Sequence, residues 1–179
     1  MEIETNRLFI KLLTLPQLKT WVNNIELLET ELKCKYGAEP VKGNFLDIIN
    51  SQIVKIENEP ENLKYHSFWF IIRKEDNIVM GSMGYKNIPN ETKEIEVGYG
   101  LAKNEYEHNG YMTEALQSFC KEALLDERIE IIIAETEKEN IASKRVLEKC
   151  GFIKYKEEES EWWKLSKQYA TPPLHITGL

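Results

Sequence analysis

The stretch from Glu94 to Ala134 constrains the fold more than any other part of the chain. Ile95, Val97, Tyr99 and Leu101 alternate with Glu94, Glu96, Gly98 and Gly100, the period of a strand with one apolar face. Tyr111, Met112, Ala115, Leu116, Phe119, Cys120, Ala123 and Leu124 then recur as adjacent pairs at every fourth residue, which lays a broad apolar stripe along a helix. Ile129 to Ala134 is almost wholly apolar, as a short strand is when both of its faces are covered. Strand, covering helix and buried strand make a βαβ unit, whose strands run parallel and whose crossover is right-handed.

Around this unit the pattern gives mixed α and β structure, class α/β (α+β). Leu8 to Leu13 reads as a strand, and Pro16 opens a short helix, since proline is tolerated in a first turn. Helices are expected around Ile25 to Lys35 and from Gly43 to Ile56, where Leu46, Ile49, Ile53 and Ile56 share one face. Phe68 to Ile72 and Ile78 to Tyr85 flank the polar turn Lys74-Glu75-Asp76-Asn77 as a hairpin. A helix from Asn140 to Lys149 stops at Gly151, a residue suited to a left-handed helix end. Phe152 to Lys156 and Trp162 to Leu165 close the pattern as an antiparallel pair, with Trp162 and Trp163 facing opposite ways.

At 179 residues the chain is expected to be a single domain over residues 1–170, with residues 171–179 an unplaced tail. Asp and Glu number 30 against 23 Lys and Arg, a formal charge of −7, which argues against nucleic acid or an anionic membrane as partner. The longest apolar run, Phe68 to Ile72, is far below the roughly 20 residues of a spanning helix. The start Met1-Glu2-Ile3-Glu4 is acidic where an export signal is basic and then apolar, so a cytoplasmic setting is expected. Cys34, Cys120 and Cys150 form no C-x-x-C pair, and His66, His108 and His175 lack metal-ligand spacing, so no metal is expected.

The junction Glu107-His108-Asn109-Gly110-Tyr111-Met112-Thr113-Glu114 carries the chemistry. Gly110 removes the Cβ that would block close approach, and the first-turn N–H groups of the following helix point outward with the positive end of its dipole. This arrangement can serve as a phosphate cradle made of backbone, which an acidic chain would need for a polyanion; the alternative is a plain loop-to-helix junction, which has the same form. The two familiar glycine-rich alternatives are absent: there is no G-x-x-x-x-G-K-[ST] run, and Gly98-Tyr99-Gly100-Leu101-Ala102-Lys103 ends in lysine where a dinucleotide fingerprint has glycine.

Read together, three blocks resemble the GNAT superfamily of acetyl-CoA-dependent N-acetyltransferases, in its RimJ/RimL-type branch. Glu96-Val97-Gly98-Tyr99 is similar to the E-I-G-Y strand of that branch, and Gly110-Tyr111-Met112-Thr113-Glu114-Ala115-Leu116 to its pyrophosphate-loop helix. Asn140-Ile141-Ala142-Ser143 followed by Glu148-Lys149-Cys150-Gly151-Phe152 resembles its N-x-x-S…EK-x-GF segment, and Glu4-Thr5-Asn6-Arg7-Leu8 its T-x-R-L start. Trp21 to Lys64 lies outside the resemblance.

The resemblance implies a GNAT fold: a mixed, twisted sheet of six to seven strands, mostly antiparallel, whose one parallel pair splays around acetyl-CoA as co-substrate. The backbone of His108, Asn109, Gly110, Tyr111, Met112 and Thr113 is then expected to hold the pyrophosphate. Val97, Tyr99 and Leu101 are expected to hold the pantetheine arm in the manner of an added strand. Glu96 is the expected base, with Glu94 on the same face; the alternative for both is a solvated sheet face. Ser143 is expected to hold the thiol and Asn140 to position pantetheine or a water, while both residue types also cap helices. Lys144 and Arg145 are expected either to reach the adenosine 3′-phosphate or to stay solvated. Two departures matter. Glu107 occupies a place where the superfamily has Gln or Arg and should point away from phosphate, and Leu147 stands where many relatives carry a catalytic tyrosine. The function expected is acetyl transfer to a primary amine, either a protein or peptide N-terminus or a small cationic amine, with a homodimer left open. The competing reading is an acyl-CoA-binding sensor or scaffold.

Overall fold

The computed structural model describes residues 1–170; the expected tail, 171–179, lies outside the described residues. The strands are β1 (Glu2–Glu4), β2 (Leu8–Leu12), β3 (Lys35–Tyr36), β4 (Phe68–Arg73), β5 (Ile78–Tyr85), β6 (Glu94–Leu101), β7 (Ile131–Thr136), β8 (Ile153–Glu157) and β9 (Glu161–Ser166). The helices are α1 (Leu15–Asn23), α2 (Ile25–Leu32), α3 (Gly43–Asn58), α4 (Leu63–His66), α5 (Tyr111–Ala123), α6 (Ile141–Lys149) and α7 (Lys167–Ala170). All strands join one nine-stranded sheet in the order β1-β2-β4-β5-β6-β7-β9-β8, with β3 attached to β5. Among the described residues the parallel pairings are β6 with β7 and the two-residue β3 with β5. The strand count exceeds the expected six to seven because β1 and β3 are too short to show a period.

The two faces of the sheet carry separate cores. On one, Ile71, Met80, Ile95, Val97 and Ile132 pack beneath α5 through Ala115, Leu116 and Phe119, as the stripe on that helix requires. On the other, Phe70, Ile72 and Val79 pack beneath α1, α2 and α3 through Leu18, Trp21, Leu28, Ile49, Ile53 and Ile56. The α2 helix ends sooner than expected, at Lys33, which is left-handed at φ 54°. Gly151, at φ +84°, follows α6 in the left-handed geometry expected of it. Trp163 is buried and Trp162 half-buried, the split expected of neighbours on a strand.

Two polar clusters hold α5 in place. At its start, Glu114 accepts hydrogen bonds from Thr5 Oγ1 (2.7 Å), Arg7 N (2.8 Å) and Arg7 Nε (2.6 Å). Burial pushes the Glu114 carboxyl up, but these donors outweigh it and hold it below the usual carboxylate range. Just past the helix's end, Asp126 accepts from Arg128 Nε (3.1 Å), Arg128 N (3.0 Å), Lys64 Nζ (2.8 Å) and the Tyr65 hydroxyl. Hydrogen bonds from Arg128, then from Lys64 and Tyr65, hold the Asp126 carboxyl far below its ordinary range against the opposing effect of burial. A folded value lowered in this way gives stability that is complete at neutral pH, begins to fade near the unfolded value of about 4, and is lost as pH falls through the folded value. Asp126→Asn is therefore expected to destabilise the protein by about 1–3 kcal/mol at pH 7. The gap in unfolding free energy between parent and variant, measured by denaturant titration, should narrow from pH 7 to pH 3. A gap independent of pH would contradict the assignment.

Candidate active site

The register of β6 against β7 runs from Glu94 with Ile131 to Val97 with Ala134 and stops there. Beyond it, β6 continues to Leu101 bonded only to β5, while Glu135 and Thr136 of β7 stay bonded to β9. The parallel strands therefore part at their C-terminal ends, and two cavities open into the gap. One, about 770 Å³, lies towards α1 and α3; the other, about 370 Å³, lies between the starts of α5 and α6. Tyr99, Gly100, Leu101, Asn140 and Ser143 line both, so the two spaces meet at these residues.

The sequence makes the larger space by omission. Ser82 of β5 sits opposite Gly100 of β6, and Gly84 opposite Gly98, so the floor of that cavity is almost free of side chains. A Cβ at Gly98 would come within 3.4 Å of Lys86, and one at Gly100 would meet nothing within 4 Å. The lost side chains appear as room.

The smaller cleft has the features of a phosphate cradle. The α5 N-cap is Gly110, left-handed at φ 76°, and no side chain caps the helix. The first-turn N–H groups of a helix lack intrahelical partners, so here they face the cleft, which Gly110, Tyr111, Met112 and Thr113 line. His108, also left-handed at φ 61°, lines it too. Arg7 braces the loop: its Nη1 donates to Asn109 O (3.0 Å) and its guanidinium lies 4.5 Å from the Tyr111 ring centre. Asn109 itself turns back, with Nδ2 donating to Glu107 O (2.9 Å), and it does not line the cleft.

The expected site residues separate as follows. Val97 is buried in the core and also borders the larger cavity, and Leu101 is half-buried at the junction of both. Asn140 caps α6, its Oδ1 accepting from Ser143 N (3.0 Å). The Tyr99 and Ser143 hydroxyls are hydrogen-bonded at 2.9 Å. Burial pushes the Tyr99 phenol well above its ordinary value, against a smaller lowering by Ser143, so it remains a proton-bearing group.

Three side chains stand elsewhere than expected. Lys144 does not line the cleft: its Nζ is bound to Glu161 Oε1 at 2.8 Å, and the cations on the cleft wall are Arg145 and Lys149, four apart on one face of α6. Glu107 is among the residues that line the cleft, with His108 Nε2 at 3.9 Å from its carboxylate. Glu96 is ion-paired with Lys86, and it is Lys86 that lines the larger cavity. Glu135 lines it too, with Oε2 at 3.7 Å from Lys86 Nζ and Oε1 accepting from Ser160 Oγ at 2.5 Å. Glu94, half-buried on the same face, accepts from Thr92 Oγ1 at 3.0 Å.

Leu147, the position without the family's tyrosine, is fully buried. The hydroxyl beside Ser143 comes from Tyr99 instead. The period of β6 marked Tyr99 as a core-facing residue, and nothing in it signals that α6 brings a serine to meet the phenol. Cys150 is half-buried and its thiol is pushed up to about 12 by burial, which leaves no thiolate for nucleophilic work.

The cleft accommodates the group that the resemblance implies. Uncapped amides, Arg145 and Lys149 suit a diphosphate with a further phosphate, and the unpaired edge of β6 suits an extended arm. Among the described residues no cluster of His, Cys, Asp and Glu could hold a metal ion, and no helix is long and apolar enough to cross a membrane.

Comparisons with known proteins agree with this geometry. A family model described as an acetyltransferase (GNAT) domain matches residues 13–153. The N-acetyltransferase YnaD of Bacillus subtilis is 30% identical over 169 residues, which cover 91% of this chain and 92% of that one. YjdG of the same organism is 29% identical over 162 residues, covering 90% and 95%. A ribosomal-protein-S5-alanine acetyltransferase from Vibrio fischeri has the same fold, with a TM-score of 0.68 at 19% identity over 96% of this chain and 100% of that one. With most of its length matched by the family model, and with strands that part where the motifs require it, this protein belongs to the GNAT family, whose members use acetyl-CoA, and is an acetyltransferase.

Proposed function

We propose that the enzyme acetylates a primary amine that enters through the larger cavity, while acetyl-CoA occupies the cleft between α5 and α6. The observation that carries this reading is the Tyr99–Ser143 hydrogen bond at the junction of the two spaces. Acetyl-CoA, when bound, supplies the activated acetyl group and a sulfur leaving group that needs a proton. The chain supplies the rest. The amides of Gly110 to Thr113 hold the diphosphate, with His108, Arg145 and Lys149 beside them. The open edge of β6 from Val97 to Leu101 orients the pantetheine arm.

Proton movement falls to three side chains. An alkyl ammonium has an ordinary pKa near 10, so a carboxylate must take its proton before the nitrogen can react. Glu135 has this role because it lines the amine's cavity; Glu96 neutralises and fixes Lys86. As the C–S bond breaks, Ser143 Oγ donates a proton to the sulfur; the Tyr99 hydroxyl orients that serine, and the second proton shed by the nitrogen as the amide forms makes good the serine's loss. Asn140 fixes Ser143 by capping the helix that carries it.

Release of coenzyme A thiol from acetyl-CoA, measured against a panel of primary amines and of peptides with free N-termini, tests the reading. Tight coenzyme A binding with no thiol release for any acceptor would replace it with a binding domain. Glu135→Gln is expected to lower kcat about 100-fold, with Glu96→Gln well below that; the reverse order would return the base role to Glu96. Tyr99→Phe and Ser143→Ala should each lower kcat at least 10-fold, and the double variant should be no worse than the poorer single one, since the two hydroxyls act as a unit. Losses that multiply would separate their roles.

A further inference from the structure

The wall of the larger cavity away from the splayed strands is aromatic. Trp21, Tyr36, Phe45, Phe68 and Phe70 line it, with Trp21 packed edge-on against Phe70 (4.8 Å, 90°), Phe68 (5.5 Å, 73°) and Phe45 (5.7 Å, 78°). Edge-on packing fixes the rings against one another, so this wall is stiff. Phe45 is 39% exposed, as is expected of the ring at the mouth.

Two buried polar atoms of this wall have no hydrogen-bond partner, Trp21 Nε1 and Gln52 Oε1, and the second breaks the apolar face of a helix. Gln52 occupies the apolar face of α3 among Ile49, Ile53 and Ile56, is only 9% exposed, and lines the cavity. Its Oε1 is buried with no hydrogen-bond partner. Leaving a buried acceptor unmet is destabilising, and a leucine at this point would continue the helix face without that cost. A local rule broken at the wall of a binding cavity is the pattern of a group kept for a ligand. Where β7 runs out the wall carries Glu135, Glu137 and Lys86, the lysine paired with Glu96 and 3.7 Å from Glu135 Oε2, so that end is net negative; His66, away from it, faces Glu59 at 3.4 Å. Positive charge is thus recognised at one end of the cavity only.

We propose that the acceptor is a small arylalkyl monoamine whose ring carries one neutral hydrogen-bond donor, such as a phenol O–H or an indole N–H. The ammonium end lies at Glu135, the ring lies against the Trp21 wall, and the ring's donor meets Gln52 Oε1. This inference rests on the amine-acetylation reading and narrows it to a substrate class.

Calorimetric binding to the full-length protein in the presence of coenzyme A tests it with tyramine, phenethylamine, spermidine and an alanine-initiated peptide. Tyramine should bind about 10-fold more tightly than phenethylamine, which lacks the donor. Gln52→Leu should bring tyramine down to the phenethylamine level and leave phenethylamine unchanged. Phe45→Ala, at a part-exposed position, should weaken both amines while the variant's thermal unfolding stays cooperative. Equal binding of the two arylalkylamines by the parent protein, tighter binding of spermidine or of the peptide, or indifference to Gln52→Leu would each overturn the proposal. Thiol release with the peptide alone would remove this substrate class and keep amine acetylation, whereas no thiol release with any acceptor would remove both.

Discussion

Everything at the site follows from where two parallel strands stop sharing hydrogen bonds. Backbone N–H and C=O groups that leave a sheet must find other partners, and strands in a sheet rarely part while both continue. Here β6 runs on past Val97 and β7 past Ala134, each still bonded on its outer side. The inner edges are left for a ligand with a backbone-like pattern of donors and acceptors. Because both strands run the same way, the helices that follow them, α5 and α6, begin on the same side of the gap. One geometric event thus brings together an open sheet edge and two helix N-termini, the second capped by Asn140 and the first left bare.

That arrangement explains how a chain of net charge −7 can serve a polyanionic co-substrate. Attraction at long range is weak at physiological salt, where the screening length is about 8 Å, so the overall charge matters less than the few groups at the cleft. Those groups are backbone dipoles, Arg145 and Lys149. Most other cations nearby are already committed: Arg7 to Glu114, Lys144 to Glu161 and Lys86 to Glu96. The Arg7 pairing is part of the cradle, because the same guanidinium holds the Asn109 carbonyl and covers Tyr111.

The sequence made the elements legible wherever one face of an element is buried along its whole length. The alternation from Ile95 to Leu101 and the paired stripe from Tyr111 to Leu124 gave β6 and α5 nearly to the residue, because burial on one side forces a period. β1 and β3 escaped, being too short for a period to appear. In the site, the bare start of α5 could be read because a glycine before an amphipathic helix is a local signal. The partnership of Tyr99 with Ser143 could not be, since it depends on how far the strands part. Lys144 and Arg145 were equally basic in the sequence, and only the pitch of α6 against β9 decides that one meets Glu161 while the other faces the cleft. Glu96 and Glu135 both stand against Lys86, and what separates them is that Glu135 lines the larger cavity while Glu96 does not.

The aromatic wall carries the argument furthest from the family's shared machinery. The cofactor side is built from backbone and from the ends of α5 and α6, so it can be kept while the opposite side changes. That opposite side is built by the region from Trp21 to Gln52, which the family motifs leave uncovered, and by the bare floor of Ser82, Gly84, Gly98 and Gly100. A floor without side chains gives volume but no selectivity, since it offers a ligand only van der Waals contact. Selectivity must then come from the wall across it, where the rings fix a shape and Gln52 supplies a single directional contact. Rejection of a ligand that leaves a buried polar group unmet is stronger than rejection by a missing methylene, so one glutamine in an aromatic wall can outweigh the rings in choosing what is acetylated.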